Sequence, residues 1–162
     1  MEDVKTRLVT ALKKLDTVMV TTTADNGTLH ARPMAVAEVG EHGEMWFVTS
    51  KDSEKTHEIL HDARALVSAQ EKNLYVSLSG TLEVVEDRMR VNDLWKESWR
   101  AWFPEGKDDP NIVFIRMRPE IGEYWDQSGT KGLKFLFEAA KAILDGKRAE
   151  ANDAKQHAKV TM

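Results

Sequence analysis

Residues 18–39 read VMVTTTADNGTLHARPMAVAEV, two runs rich in β-branched and small residues on either side of Asn26-Gly27. Asn-Gly between such runs is the strongest short-range hairpin signal, because both turn positions tolerate positive φ. The stretch therefore predicts a pair of antiparallel strands with no helix between them. A second turn at Glu41-His42-Gly43 leads into a short apolar strand over 44–49, which ends in the polar run Ser50-Lys51-Asp52-Ser53. Three strands in direct succession exclude a doubly wound parallel sheet, which needs a crossover helix between strands.

Outward from that core the pattern continues. Upstream, Val4, Leu8, Leu12 and Leu15 recur at helical spacing within 3–15. Downstream, residues 53–61 predict a short helix capped by Asp52 or Ser50, with Ile59-Leu60 on its buried side. Two further strands are predicted at 64–70 and 73–85, then a helix from Asp87 carrying Met89, Leu94, Trp95, Trp99 and Trp102 and stopped by Pro104-Glu105-Gly106. Residues 112–118 and 121–126 predict a bent strand interrupted at Pro119, and 132–145 a last amphipathic helix. The fold expected is mainly β with α: a six-stranded antiparallel split β-barrel with flanking helices, occupying residues 1–146. The charged segment 147–162 is expected to be a disordered tail.

Composition narrows the function. The chain has 162 residues, 41% hydrophobic and 31% charged, which suits one domain with a real core. It contains no cysteine, so thiol catalysis, thiolate metal sites and disulfides are excluded. With 27 acids against 23 bases the net charge is −4, giving no general field for nucleic acid or anionic membrane. No apolar run reaches the ~20 residues of a membrane span, and the N-terminus lacks a signal-type apolar block, so a cytoplasmic protein is expected.

Two chemical patterns stand out. His57-Glu58-Ile59-Leu60-His61 spells H-E-x-x-H, in which histidines one helical turn apart bind zinc and the glutamate activates water. The residues after His61 run Asp62-Ala63-Arg64 into a strand and offer no third ligand, so no metal site is expected. The second pattern is Thr49, Ser50, Ser53 and Lys55 between a strand end and a helix start. Short hydroxyls, free backbone N–H groups and a lysine at the positive end of a helix dipole form a phosphate cradle. Arg32, the only arginine between Arg7 and Arg64, has a fork suited to phosphate and needs a charged partner if it points inward. A capped helix beside a surface arginine accounts for the same residues without a ligand. The tryptophans likewise divide between packing on the barrel or a dimer partner and, for Trp102 with Phe103, walling a ligand pocket.

ARPMAV at 31–36, WFVTSKDSEK at 46–55, YVSLSGTLEVV at 75–85 and PEIGEYWD at 119–126 resemble, in order and spacing, the FMN-binding split barrels related to pyridoxamine 5'-phosphate oxidase. Trp-Phe-Pro-Glu-Gly at 102–106 and Asp108-Asp109-Pro110 are similar to the general stress protein branch. The resemblance covers residues 1–127 and implies a homodimer with FMN, or FAD, at the subunit interface. It places Arg32, Pro33, Met34 and Ala35 along the isoalloxazine and ribityl chain, with Val48, Thr49, Ser50, Ser53 and Lys55 around them and the last two nearest the phosphate. Tyr75 stands where the oxidases have a glutamine near the flavin, and Trp125 matches the tryptophan that reaches FMN from the partner subunit.

The departures are specific. Glu54-Lys55 replaces a basic pair and Ala37 a lysine, thinning the clamp by two charges. The stretch after Trp125, DQSGTKGLKFLFEAAK, has Lys131 and Lys134 but no arginine or histidine to hold pyridoxal phosphate, which removes the basis for vitamin B6 oxidation. The resemblance thus implies a flavin-binding general stress protein, possessing redox activity only through its flavin and with no assignable catalytic residue. An NAD(P)H- or deazaflavin-dependent oxidoreductase and a flavin-free interaction protein are the competing expectations.

Overall fold

The structure, a computed structural model, describes residues 3–127 and 157–162. Strands β1 (Thr17–Thr23) and β2 (Leu29–Val39) form the hairpin expected at Asn26-Gly27, where Gly27 adopts φ 81° and the Asn26 side chain accepts from the Thr28 amide. β3 (Met45–Ser50), β4 (Arg64–Glu71), β5 (Leu74–Val85) and β6 (Ile112–Asp126) complete the sheet. Neighbours run β3-β2-β1-β4-β5-β6, all antiparallel, and β3 pairs in turn with β6 to close a six-stranded barrel. Helices α1 (Val4–Leu12), α2 (Glu54–His61) and α3 (Arg88–Leu94) flank it. No helix among the described residues is long and apolar enough to cross a membrane.

Two apolar clusters explain the texture of the strands. Val18, Val20, Met45, Phe47, Leu78, Ile115 and Met117 fill the barrel with Leu8 and Leu12 of α1. Trp46, Ile112 and Phe114 point the other way, onto Val91, Trp99 and Phe103. β3 and the first half of β6 are therefore covered on both faces, which is why MWFV and IVFI read as continuous apolar runs and not as an alternation. Arg90 fastens α3 over this second cluster. Its guanidinium lies 3.8 Å from the Trp46 ring centroid and is paired with Glu38 and Asp87.

Several expectations change. The cap of α2 is Ser53, not Asp52 or Ser50, and Leu60, expected on its buried side with Ile59, is 74% exposed because Thr56, Glu58 and Ile59 form the inward face. The predicted helix from Asp87 is broken at Trp95-Lys96 into α3 and a 3₁₀ turn over Glu97–Ala101. Its tryptophans consequently do not share one face: Trp99 is buried at 4% exposure while Trp102 is 67% exposed. Pro119 does not interrupt β6 but sits at a bulge, where the pairing shifts between Ser79 and Gly80 so that Gly80 faces Pro119. Residues 157–161, expected to be disordered, form strand β7 (His157–Thr161), which pairs with Ile121–Trp125 where β3 no longer covers the β6 edge. Ala158, Val160 and Met162, at every second position, lie against the barrel cluster. The predicted 132–145 helix, Lys131, Lys134 and the boundary at 146 lie outside the described residues.

The bulge carries a prediction. A Cβ on Gly80 would stand 2.1 Å from the Arg118 carbonyl oxygen, a backbone atom that no rotamer change can move aside. Gly80→Ala is expected to cost about 1–3 kcal/mol, read as a lowered urea midpoint at unchanged slope. An unaltered midpoint would mean that β6 shifts freely.

Candidate functional site

β2, β3 and α2 converge at one end of the barrel. β3 ends at Ser50, and Ser53, in extended conformation, caps α2 by accepting from the Thr56 amide at 3.4 Å. Lys55 Nζ donates to Thr49 Oγ1 at 3.2 Å, Thr49 Oγ1 to Ser53 Oγ at 3.3 Å, and Ser53 Oγ meets Thr56 Oγ1 at 2.8 Å. This chain of one ammonium and three hydroxyls borders the start of α2, whose first N–H groups carry the positive end of its dipole. Burial lowers the Lys55 pKa below the ordinary lysine range and the nearby Arg32 charge adds to the effect.

The cluster opens into a cavity of about 370 Å³, a size usual for small-molecule sites. Eight residues singled out in the sequence line it together: Pro33, Met34 and Ala35 of β2, Val48, Thr49 and Ser50 of β3, and Ser53 and Lys55 at α2. The opposite wall is aromatic, made by Trp99, Trp102 and Phe103. The tryptophans thus serve both readings at once: Trp99 packs in the second cluster while its neighbours form the pocket wall.

Arg32 is not part of that lining. Its Nη2 donates to Glu58 Oε2 at 2.6 Å and its Nη1 to Thr22 Oγ1, while Thr22 donates to the same Glu58 oxygen at 2.5 Å. His30 Nδ1 meets the other Glu58 oxygen at 2.8 Å. Glu58 is 3% exposed. Burial pushes its carboxyl up, but the bonds from Thr22, His30 and Arg32, with the Arg32 charge, outweigh that and bring it down to about 2. The glutamate of the H-E-x-x-H pattern is therefore the charged partner that an inward arginine requires, and the pattern's His57 turns outward toward Asp25 at 3.4 Å. Among the described residues, the metal-ligand atoms that converge within 4.8 Å belong to His30, Glu54 and Glu58 and not to the two motif histidines. The pairing of Thr22, His30 and Arg32 with Glu58, which the sequence shows only as the glutamate of H-E-x-x-H, is not legible there because it spans 26 residues or more; the inward arginine was the available hint.

Tyr75 and Trp125 are cross-strand neighbours on β5 and β6, away from the cavity of their own chain. Both face outward, since Tyr124 is buried and successive residues of a strand alternate. Pro33 and Ala35 point to the same outer face, across from Met19 and Thr17 of β1.

Fold and site together define a small closed antiparallel barrel in which a cluster of one lysine and three hydroxyls opens into an aromatic-walled cavity. The family model for pyridoxamine 5'-phosphate oxidase like proteins matches residues 3–150, and the chain belongs to that family. It is similar to a Jannaschia protein solved by crystallography and assigned to general stress protein 26, at 27% identity with both chains covered in full and a TM-score of 0.74. It is similar also to the general stress FMN/FAD binding protein of Xanthomonas citri, at 30% identity over 78% of this chain and 91% of that one, TM-score 0.66. The protein bli-3 of Neurospora crassa is 26% identical over 151 residues, 86% of this chain and 71% of its own. The chain is thus general stress protein 26-like.

Proposed function

We propose that the protein binds FMN non-covalently, with the phosphate on Thr49, Ser53, Lys55 and the start of α2 and the flavin ring along Pro33, Met34 and Ala35. The observation that carries this reading is one cavity joining a cationic hydroxyl cluster to an apolar, aromatic wall. A phosphate monoester linked to a flat heteroaromatic ring presents those two surfaces in that order. That the Xanthomonas citri relative is described as FMN/FAD binding supports the same ligand class. Bound there, the flavin supplies hydride or electron transfer, and the protein supplies position and polarity.

A homodimer completes the site. The outer face of β2, β1, β4 and β5 is nearly free of charge, presenting Ala31 and Pro33, Met19 and Thr21, Leu66 and Ser68, and Tyr75 in adjacent rows. Met19, Leu66 and Tyr75 are each 38–40% exposed in the single chain, an apolar sheet face that a second copy covers. Because Pro33 and Ala35 belong both to this face and to the cavity lining, the dimer brings one copy's outer face, with Tyr75 and Trp125, against the other's ligand.

Visible absorbance of the purified protein, taken before and after FMN addition and gel filtration, tests the reading. A yellow chromophore co-eluting at dimer size is expected; a colourless protein that takes up no FMN overturns it. Lys55→Ala is expected to weaken FMN binding by about 1–3 kcal/mol, the range for a charge-assisted hydrogen bond. Fluorescence titration reads this as a roughly 5- to 150-fold rise in Kd, and wild-type affinity in the variant would reject the cradle.

A further inference from the structure

The outer face continues past the expected flavin contacts. Gln70, Tyr75, Trp125 and His157 are partners in register across β4, β5, β6 and β7, so four planar side chains stand in one row on the side away from the barrel core. Gln70 Nε2 donates to the Tyr75 hydroxyl at 3.2 Å. The rings of Trp125 and His157 are stacked, with centroids 5.0 Å apart and planes 5° from parallel. His157 Nε2 donates to Glu123 Oε1 at 2.6 Å, from the strand that carries Trp125. Glu123 and Trp125 therefore fix the imidazole on two sides. Among the described residues Trp125 makes no other ring contact, so one indole face rests on His157 and the other meets no aromatic group of those residues.

This arrangement has no role in the core. Tyr124, one residue away, is buried, and the inward residues of β7 are Ala158 and Val160, so the Trp125–His157 stack adds nothing to barrel packing. Aromatic pairs contribute about 0.5–1.5 kcal/mol beyond area burial, and holding an indole in one rotamer removes entropy that a stacking ligand otherwise loses on binding.

We propose that His157 is a positioning residue for Trp125 and that the C-terminal strand β7 is part of the ligand site: the imidazole backs one face of the indole so that the other is preset to meet the flavin ring held by a second copy of the chain. The inference rests on the flavin reading above. The continuity of the face supports the occupant, because the row that ends at His157 lies on the same outer surface as Pro33 and Ala35, which line the cavity.

The test is a double-mutant cycle on FMN affinity in the full chain, with gel filtration confirming the dimer in every variant. His157→Ala and Trp125→Ala are each expected to raise Kd several-fold, and the double variant no more than Trp125→Ala alone, because a prop has nothing to hold once the indole is gone. His157→Phe, which keeps a flat ring but loses the bond to Glu123, is expected to restore affinity to within about twofold of wild type. Additive losses, or a His157→Ala variant that binds FMN as wild type does, would overturn the positioning role while leaving flavin binding intact. Absence of FMN uptake by the wild-type protein would instead remove the flavin reading and this inference together.

Discussion

Replacing Glu58 by alanine is expected to destabilise the fold by about 3–5 kcal/mol, the loss found when one partner of a buried ion pair is removed. Glu58 is 3% exposed and accepts from Thr22, His30 and Arg32, all on the first hairpin, so it ties α2 to the barrel end. Without it the Arg32 guanidinium remains largely enclosed with Thr22 as its partner. The pH dependence follows from the same contacts. The carboxyl is lowered from 4.5 to about 2 on folding, a difference of about 3 kcal/mol at 1.36 kcal/mol per unit. A depressed folded-state value means that this stabilisation is complete above pH 4.5 and is lost as pH falls from there toward 2. Glu58→Gln keeps the shape and removes the titration, so urea midpoints measured between pH 6 and 2.5 are expected to fall less steeply for the variant. Asp62 and Glu83 are also held low by Arg64 and by Arg116 with Arg118, but at the solvent-exposed surface where such pairs count for little. The difference between the two proteins, not the whole acid limb, therefore isolates Glu58. Parallel acid limbs would show that the buried network does not govern acid stability.

The parts of the molecule that were legible in the sequence are those whose causes are local. The turn before β2 is closed locally, by Gly27 at φ 81° with its amide on the Ala24 carbonyl and by the Asn26 side chain accepting from Thr28, and Thr49, Ser53 and Lys55 lie close enough in sequence to form one hydrogen-bonded cluster. The continuous apolar runs of β3 and β6 also announced strands, although not that both faces were covered. What the sequence concealed depends on distant partners. Nothing in residues 87–102 marks a break at Trp95-Lys96, with neither glycine nor proline present; the break allows Trp99 to turn onto Phe114, and that packing overrides helix propensity. Strand β7 was hidden by its charged setting: Ala158, Val160 and Met162 do alternate, but the pattern acquires meaning only beside the uncovered edge of β6. Arg32, whose fork suits a phosphate and which needs a charged partner if it points inward, has that partner in Glu58, and Lys55 is the cation of the cavity lining.

Trp99→Ala is expected to reduce stability by about 3–5 kcal/mol, as large aromatic truncations in a core do, and so to lower Tm by about 6–20 °C in a chain of this length. Trp99 is 4% exposed and packs edge-to-face on Trp95 at 5.8 Å and on Phe114 at 6.4 Å between centroids. It holds the 3₁₀ turn against β6 while one side faces the cavity. Truncation therefore removes a wall of the site and a support of the fold together, and a loss of FMN affinity in this variant alone would not say which. Trp102 separates the two. It lines the same cavity but is 67% exposed, so Trp102→Ala is expected to change stability by no more than about 0.5 kcal/mol. If the aromatic wall contacts the flavin, Trp102→Ala weakens FMN binding with Tm unchanged, and Trp99→Phe recovers most of the lost stability by refilling the contact with Phe114. Should Trp102→Ala bind FMN normally while Trp99→Ala does not, the wall acts only as scaffolding for β3, and flavin recognition rests on the cradle and on the outer face of the partner.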